Sequence, residues 1–187
     1  MDSALFYQAA NDIVQSTGTR NIKLIARSCS LDISETSRIK DMLSLLSLYF
    51  ERSLVLIKRQ LDKQTRQMVC GYALGQYLEH QLLMDLHTLN KFLAITDKHI
   101  ILYEPDAFAS HLMLDSDEVY QMTKHGLYAA QIVIAKRIHL NLVLVKLLEL
   151  HHLGYDLRYY HAQHSCPRQA AFSERIPLLL SLLFLQP

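Results

Sequence analysis

The sequence predicts an all-α protein of about seven to nine helices. Half of its 187 residues are hydrophobic, and leucine is the dominant type. Only five glycines and four prolines interrupt the chain. Apolar residues recur at helical spacing through most of its length, whereas alternating runs rich in β-branched residues, typical of strands, are scarce. These observations together favour helices throughout.

Composition also argues against nucleic-acid binding, secretion and membrane insertion. A formal net charge of +1 is too balanced to predict a nucleic-acid-binding surface. The cysteines, Cys29, Cys70 and Cys166, are far apart and odd in number, which indicates reduced thiols and a cytoplasmic location. The start of the chain lacks the pattern of a signal peptide. The most apolar run, residues 176–185, is shorter than the ~20 residues of a membrane helix, so we expect a buried helix and no membrane insertion.

Residues 1–48 are predicted to form an N-terminal helical extension on a main domain spanning residues 49–187. A first helix is expected over residues 3–16, and Asn21 is placed to cap a second one. Asp32 and Glu35 have the spacing of a capping box, which predicts the start of a third helix.

Residues 20–43 also suggest a helix-turn-helix, which makes a DNA-binding regulator an alternative function. The second helix of that motif, over residues 34–42, would present Arg38 and Lys40 together with the acidic Glu35 and Asp41. Mixed charge is a poor surface for phosphates, so a packed helical extension is the favoured interpretation.

Further helices are expected across residues 34–61, where apolar residues are dense, and across residues 65–77 and 79–95. Gly71 and Gly75 are one helical turn apart and would permit a close helix contact. Residues 96–113 are expected to be an irregular connection with short helical pieces, with His111 at the surface or capping a helix.

The stretch over residues 114–156 carries the strongest functional pattern. It places His125, His151, His152 and Asp156 at the ends of two predicted helices. Imidazoles grouped with a carboxylate are typical of divalent metal sites. The alternative is that each histidine caps carbonyl groups at the end of its own helix.

This stretch resembles HD-GYP domains, a branch of the HD phosphohydrolase superfamily. Residues 115–133 are similar to the segment of that family that leads to a metal-binding histidine. His151-His152-x-x-x-Asp156 is similar to the start of the family signature, and Ile176-Pro177 resembles the start of the helix that follows. The resemblance covers roughly residues 50–187 and implies an HD-like helical bundle.

Carried over residue by residue, the resemblance makes Asp85, His125, His151 and His152 residual metal-ligand positions. It makes Lys124, Asp156 and Tyr160 binding positions. Three departures weaken the site that it implies, because family ligands or charges are replaced by Met84, Thr88 and Pro187. A thioether is a poor ligand for a hard or borderline divalent cation.

The resulting expectation is a non-catalytic signalling adaptor without a cofactor. Its partner would be another protein, such as a diguanylate cyclase, because active family members hydrolyse cyclic di-GMP and contact such cyclases. The alternatives are a phosphohydrolase with a reduced metal site that holds a single divalent ion, and a homo-oligomer. Two smaller metal clusters stay open, one at His80 and His87 and one at Asp156, His161, His164 and Cys166.

Overall fold

The computed structural model describes residues 3–48, 53–83, 91–95 and 103–157. Its elements in chain order are α1 (Ser3–Thr17), α2 (Ile22–Ser28), β1 (Leu31–Thr36), β2 (Ser44–Leu48), β3 (Ser53–Lys58), α3 (Lys63–Leu83), β4 (Lys91–Ile95), α4 (Tyr103–Met113), α5 (Ser116–Lys124), α6 (Ala129–Lys136) and α7 (Leu140–His152).

The predicted all-α fold, and with it an HD-like helical bundle, is wrong. The protein is mixed α/β, with a four-stranded sheet in the order β1-β3-β2-β4. Strand β1 runs parallel to β3, whereas β2 is antiparallel to both β3 and β4. Because β2 precedes residue 49 and β3 follows it, the chain on both sides of the predicted domain boundary contributes to one sheet.

Strand β3 shows why the periodicity was misinterpreted. Ser53, Val55 and Ile57 are buried on one face, while Leu54 and Leu56 on the other face are half-buried. A strand with apolar residues on both faces lacks the alternation of apolar and polar residues. Over six residues, periodicity alone does not distinguish it from a buried helix. Length and the β-branched Val55 and Ile57 favour the strand.

The helix predicted after Asp32 is also absent. Asp32 and Glu35 lie within β1, where they pair in register with Leu54 and Ile57 of β3. Glu35 forms ion pairs with Arg66 and Lys23 instead of capping a helix. The second helix of the proposed helix-turn-helix therefore does not form, and the structural basis for DNA binding through residues 20–43 is removed.

The two N-terminal helices are confirmed. Asn21 caps α2 by accepting a hydrogen bond from the backbone N–H of Lys23 at 3.1 Å. Ile22, Ile25 and Ala26 are buried, as their spacing predicts. Caps and amphipathic spacing are local properties, so they are readable without the rest of the fold.

The close helix contact predicted at Gly71 and Gly75 is confirmed and joins α3 to α4. A Cβ at Gly71 would lie 3.0 Å from the Cβ of Ala109, and one at Gly75 would lie 3.3 Å from Phe108.

Helix α4 replaces the irregular connection expected over residues 96–113, and β4 replaces the end of the helix expected over residues 79–95.

Helix α4 is the centre of the described structure. It packs against α1, α3 and α7, and every residue from Pro105 to Leu112 is buried. Such a helix has no solvent face on which to place polar side chains, so any that it carries need partners inside the protein.

Three short helices close the described chain. Gly126, with φ of 81°, lies between α5 and α6. Asp115 caps α5 by accepting from the N–H of Glu118 at 3.0 Å, which confirms the predicted helix start. Among the described residues, no helix combines the length and apolarity needed to cross a membrane.

Candidate functional site

His125 lies at the C-terminal end of α5. The ring Nδ1 of His125 is 2.7 Å from the carbonyl oxygen of Gln121, and the side chain is otherwise exposed. This is the capping arrangement that was the alternative to metal binding. The neighbouring Lys124 is also exposed and extends over the ring of Tyr120, with its Nζ 5.6 Å from the ring centre.

His151 and His152 end α7, with ring centres 6.3 Å apart. His151 is exposed, and His152 contacts Ser3, Tyr103 and Glu149. Asp156 follows in the exposed segment after α7.

In the part of the chain that the structure describes, no three His, Cys, Asp or Glu side chains are arranged to hold a metal ion. Asp85 and Tyr160 lie outside the described residues, as do His87, His161, His164 and Cys166. His80 lies in α3, and its side chain is among those not described. The metal and binding positions carried over from the family therefore stay a prediction.

The structure instead brings together three ionisable residues inside the protein. Lys146, His111 and Glu149 are 1%, 1% and 0% exposed. Lys146 Nζ is 2.8 Å from His111 Nδ1, and His111 Nε2 is 3.0 Å from Glu149 Oε2. The imidazole therefore bridges an amine and a carboxylate, and we call these three residues the buried relay. The expectation that His111 lies at the surface or caps a helix is wrong.

The distances fix the hydrogen positions in the buried relay. An ionised carboxylate only accepts hydrogen bonds, so His111 Nε2 must carry the proton shared with Glu149. His111 Nδ1 is then the acceptor for Lys146. Lys146 donates a second hydrogen bond to Ser116 Oγ at 2.8 Å, which links the relay to α5.

Burial dominates the electrostatics of the amine and the imidazole. Burial and the nearby Arg20 guanidinium lower the pKa of Lys146 to about 7. Burial likewise lowers the pKa of His111 below its ordinary value, and the hydrogen bond to Glu149 only partly opposes this. At neutral pH the imidazole is therefore uncharged, and the amine gives up its proton far more readily than an ordinary lysine does.

Glu149 is held as an anion by hydrogen bonds. Burial alone would raise the pKa of Glu149, but hydrogen bonds from His111, Tyr103 and Ser3 outweigh it, so this pKa is lowered. Ser3 Oγ donates to Glu149 Oε1 at 3.0 Å, and the Tyr103 hydroxyl donates to the same oxygen. Burial raises the pKa of Tyr103, which keeps this donor protonated.

Arg20 fixes the helix ends around the buried relay. Its guanidinium donates to the carbonyl oxygens of His111 and Leu112 at 2.8 and 3.2 Å, and to Asp115 Oδ2 at 2.8 Å. One arginine therefore satisfies the C-terminal carbonyls of α4 and contacts the N-cap of α5.

The sequence contained a signal for the relay that its histidine pattern obscured. Lys146 and Glu149 are the two charged residues of a helix that otherwise consists of leucine, valine, asparagine and the terminal histidines. A lysine and a glutamate three residues apart in such an apolar helix indicate buried, paired charges. Their partner His111 is 35 residues away from Lys146, and only the fold shows it.

A second feature lies on the outside of α6. Tyr128, Gln131, Ile134 and Ala135 are exposed and lie within about 120° of one another around the helix axis. We call this surface the α6 face. Ile134 is 75% exposed and Tyr128 is 37% exposed. No charged residue belongs to this face, and exposed cations flank it in the sequence, with Lys124 before it and Arg137 after it.

No family model, curated protein or solved structure matches this chain.

Proposed function

We propose that this protein is a non-catalytic domain that binds another protein through the α6 face. The observation that carries this proposal is Ile134, a large aliphatic side chain that is three-quarters exposed on a well-formed helix. Exposing isoleucine to water is unfavourable, and burying it against a partner is worth roughly 1.5–3 kcal/mol.

The charges around the α6 face favour an acidic partner over a second copy of this chain. In a two-fold arrangement of antiparallel α6 helices, Lys124 of one copy would approach Arg137 of the other. Like charges at both ends would oppose that contact. A segment with apolar residues at helical spacing and Asp or Glu at its ends would complement both the apolar centre and the basic flanks.

The non-catalytic part of the proposal is supported by the buried relay. Lys146, His111 and Glu149 are the described groups best suited to acid–base chemistry, but they contact one another and are closed from solvent. A catalytic base must reach the proton that it abstracts. We interpret the relay as a part of the folded structure and place the function on the surface.

The identity of the partner and the cellular location each rest on one observation. A diguanylate cyclase or similar signalling protein as the partner is supported only by the resemblance of residues 115–133 and 151–156. A cytoplasmic location is supported by the unpaired thiols of Cys29 and Cys70. Burial raises the pKa of Cys70 to about 12, so this thiol is not reactive.

The test uses a random peptide library displayed on phage and selected against the full chain. We expect the selected peptides to carry apolar residues at helical spacing, flanked by Asp or Glu. Ile134→Asp should weaken their binding by about thirtyfold or more, as expected for a residue at the centre of an interface. Binding should also weaken as salt is raised.

The matched controls are Leu5→Asp and Leu24→Asp, because these leucines are 59% and 49% exposed on other helices. They should bind the selected peptides as the unchanged protein does. Equal binding by Ile134→Asp, or equal losses in all three variants, would overturn the α6 face as the interface. Sedimentation velocity adds a separate outcome, because a dimer that Ile134→Asp dissociates would show that the occupant is a second copy.

A further inference from the structure

The buried relay connects four helices that are separate in the sequence. Lys146 and Glu149 belong to α7, His111 to α4 and Ser116 to α5, while Ser3 of α1 donates to Glu149. Each of these hydrogen bonds therefore joins two different helices. Loss of one link changes the packing of several helices.

Helix α1 depends on these links more than its neighbours do. Only Ala10 is buried among its fifteen residues, with Phe6, Ile13 and Val14 packed partly against the core. It also packs along α4, and its polar and aromatic contacts with α4 and α7 include the Ser3–Glu149 hydrogen bond and an edge-to-face contact between Tyr7 and His111, with ring centres 5.4 Å apart. Elements with few buried apolar contacts open at low free-energy cost.

The hydrogen positions decide what acid does to His111. Its Nε2 already carries the proton that is donated to Glu149, so a further proton from solvent must go to Nδ1. That nitrogen accepts from Lys146 at 2.8 Å. After protonation, an N–H of the imidazolium and the hydrogens of the ammonium group would point at each other, and no hydrogen bond is possible.

We propose that the Lys146–His111 hydrogen bond is an acid-sensitive latch, which breaks when His111 Nδ1 takes up a proton and which then releases α1 from α4 and α7. Repulsion between the imidazolium and the ammonium group displaces the ring from Tyr7, and the Glu149 carboxylate, which stays paired with the imidazolium, shifts with it. The carboxylate then no longer holds Ser3 in place. Release of α1 is local, because the sheet, α3, α4 and α7 share one buried apolar core to which α1 contributes only Ala10 as a buried residue.

The charged and titratable groups around the latch come from every element that packs against it. They are Tyr7 of α1, Arg20 of the α1–α2 connection, Tyr103 of α4, Asp115 and Asp117 of α5, and Glu149 and His152 of α7. Glu149 favours the imidazolium, whereas burial, Lys146 and Arg20 disfavour it and prevail, so the pKa of His111 is lowered.

The lowered pKa of His111 sets the direction of the pH effect on α1. A histidine whose pKa is lower when folded stabilises the closed state above its ordinary value of 6.5, and this stability is lost as pH falls through the folded pKa. Within that window the opening constant rises by up to about tenfold per pH unit, because one proton is taken up.

Hydrogen–deuterium exchange of the full chain, read by mass spectrometry, tests the proposal. After correction for the intrinsic pH dependence of exchange, peptides from α1 should open more as the pH is lowered from about 7 to about 5, by up to tenfold per unit. Peptides from α3 provide the internal reference and should not change. No slope in α1, or the same slope in α3, would overturn the latch.

Lys146→Met separates the latch from a simple structural role. Methionine is apolar and of similar length, and it has no hydrogens to oppose a protonated His111, while Glu149 then stabilises the imidazolium. We expect the acid slope of α1 to disappear in this variant. If Lys146 only contributes to packing, Lys146→Met will raise opening at every pH and leave the slope unchanged, which would overturn the proposal.

His139→Asn is the matched control. Burial also lowers the pKa of His139, which caps α7 by accepting from the N–H of Asn141 at 3.2 Å. Asparagine keeps the cap and removes the titration. The α1 slope should persist in this variant, and its loss would assign the effect to His139.

A measurement on the unchanged protein covers the case in which Lys146→Met does not fold. The NMR titration of the His111 ring should give a midpoint below 6.5 that coincides with the α1 exchange transition. A midpoint at or above 6.5, or one that differs from the exchange transition, would overturn the latch.

Discussion

The α4–α7 contact and the α6 face reverse the usual distribution of side chains. The contact encloses an amine, an imidazole and a carboxylate, whereas the face exposes Ile134 and Tyr128. Burying charges costs free energy unless every one is paired, and exposing a large aliphatic side chain forgoes favourable burial. The difference shows that the inside of this protein depends on completed pairs, while its α6 face leaves a large aliphatic side chain in water.

Among the changes described below, Glu149→Ala should lower the free energy of unfolding the most. Removal of the carboxylate leaves His111 and Lys146 without their anion in a site closed to water. We expect the free energy of unfolding to fall by about 3–5 kcal/mol, as for other buried pairs that lose one partner. Urea unfolding at neutral pH measures it.

The matched variant is Glu149→Gln, which keeps the shape and an acceptor but removes the charge. It should lose less stability than Glu149→Ala. A loss below about 1 kcal/mol for Glu149→Ala would mean that the relay is not the closed pair described above.

Lys146→Met should remove part of the dependence of stability on pH. The pKa of Lys146 is about 7 when folded and 10.5 in its ordinary state, so the unfolded chain holds more protons between those values. Stability of the unchanged protein should therefore rise with pH above 7, by up to about 1.4 kcal/mol per unit from this residue.

Urea midpoints at about pH 7 and about pH 8 avoid most cysteine and tyrosine titration. The difference between the two midpoints should shrink in Lys146→Met. Asp106 acts at lower pH and in the opposite direction, because burial raises its pKa to about 7. An unchanged difference in Lys146→Met would show that the amine is not the titrating group.

Ile134→Asp should leave stability almost unchanged, within about 0.5 kcal/mol, because the side chain is largely in water. The comparison within the same helix is Ile132→Asp, since Ile132 is 0% exposed. That variant should lose several kcal/mol or fail to fold, because it buries an unpaired charge. Thermal unfolding of both variants measures the contrast, and similar losses would show that Ile134 is packed in solution.

Removal of metal ions should change the free energy of unfolding the least. We expect the purified protein to hold no stoichiometric metal pair and to show no hydrolysis of cyclic dinucleotides, because Met84, Thr88 and Pro187 replace groups that such a site needs. Elemental analysis, unfolding with and without a chelator, and turnover of a cyclic dinucleotide measure this. Two tightly bound metals, with turnover lost in His125→Ala, would contradict it and favour the phosphohydrolase alternative.

Prediction from sequence succeeded where the evidence was local. The caps at Asn21 and Asp115, and the close approach at Gly71, are properties of a few neighbouring residues. It failed at β3, because the four apolar residues 54–57 fit a buried helix as well as a strand that is covered on both faces. It failed at β1, because Asp32 and Glu35 have the spacing of a capping box. It also placed His111 at the surface, because neighbouring residues do not show that α4 is buried on all sides.

The sequence by itself determined the cap of α2, a close helix contact at Gly71 and Gly75, and the apolar character of α7, because these depend on side chains one or two turns apart. Only the tertiary structure decided the sheet and the buried relay. Strand pairing joins β1 to β3 and β2 to β4 across long stretches of chain, and the relay joins His111 to residues 35 and 38 positions away. A buried charge is stable only beside its partner, and the fold alone brings such partners together.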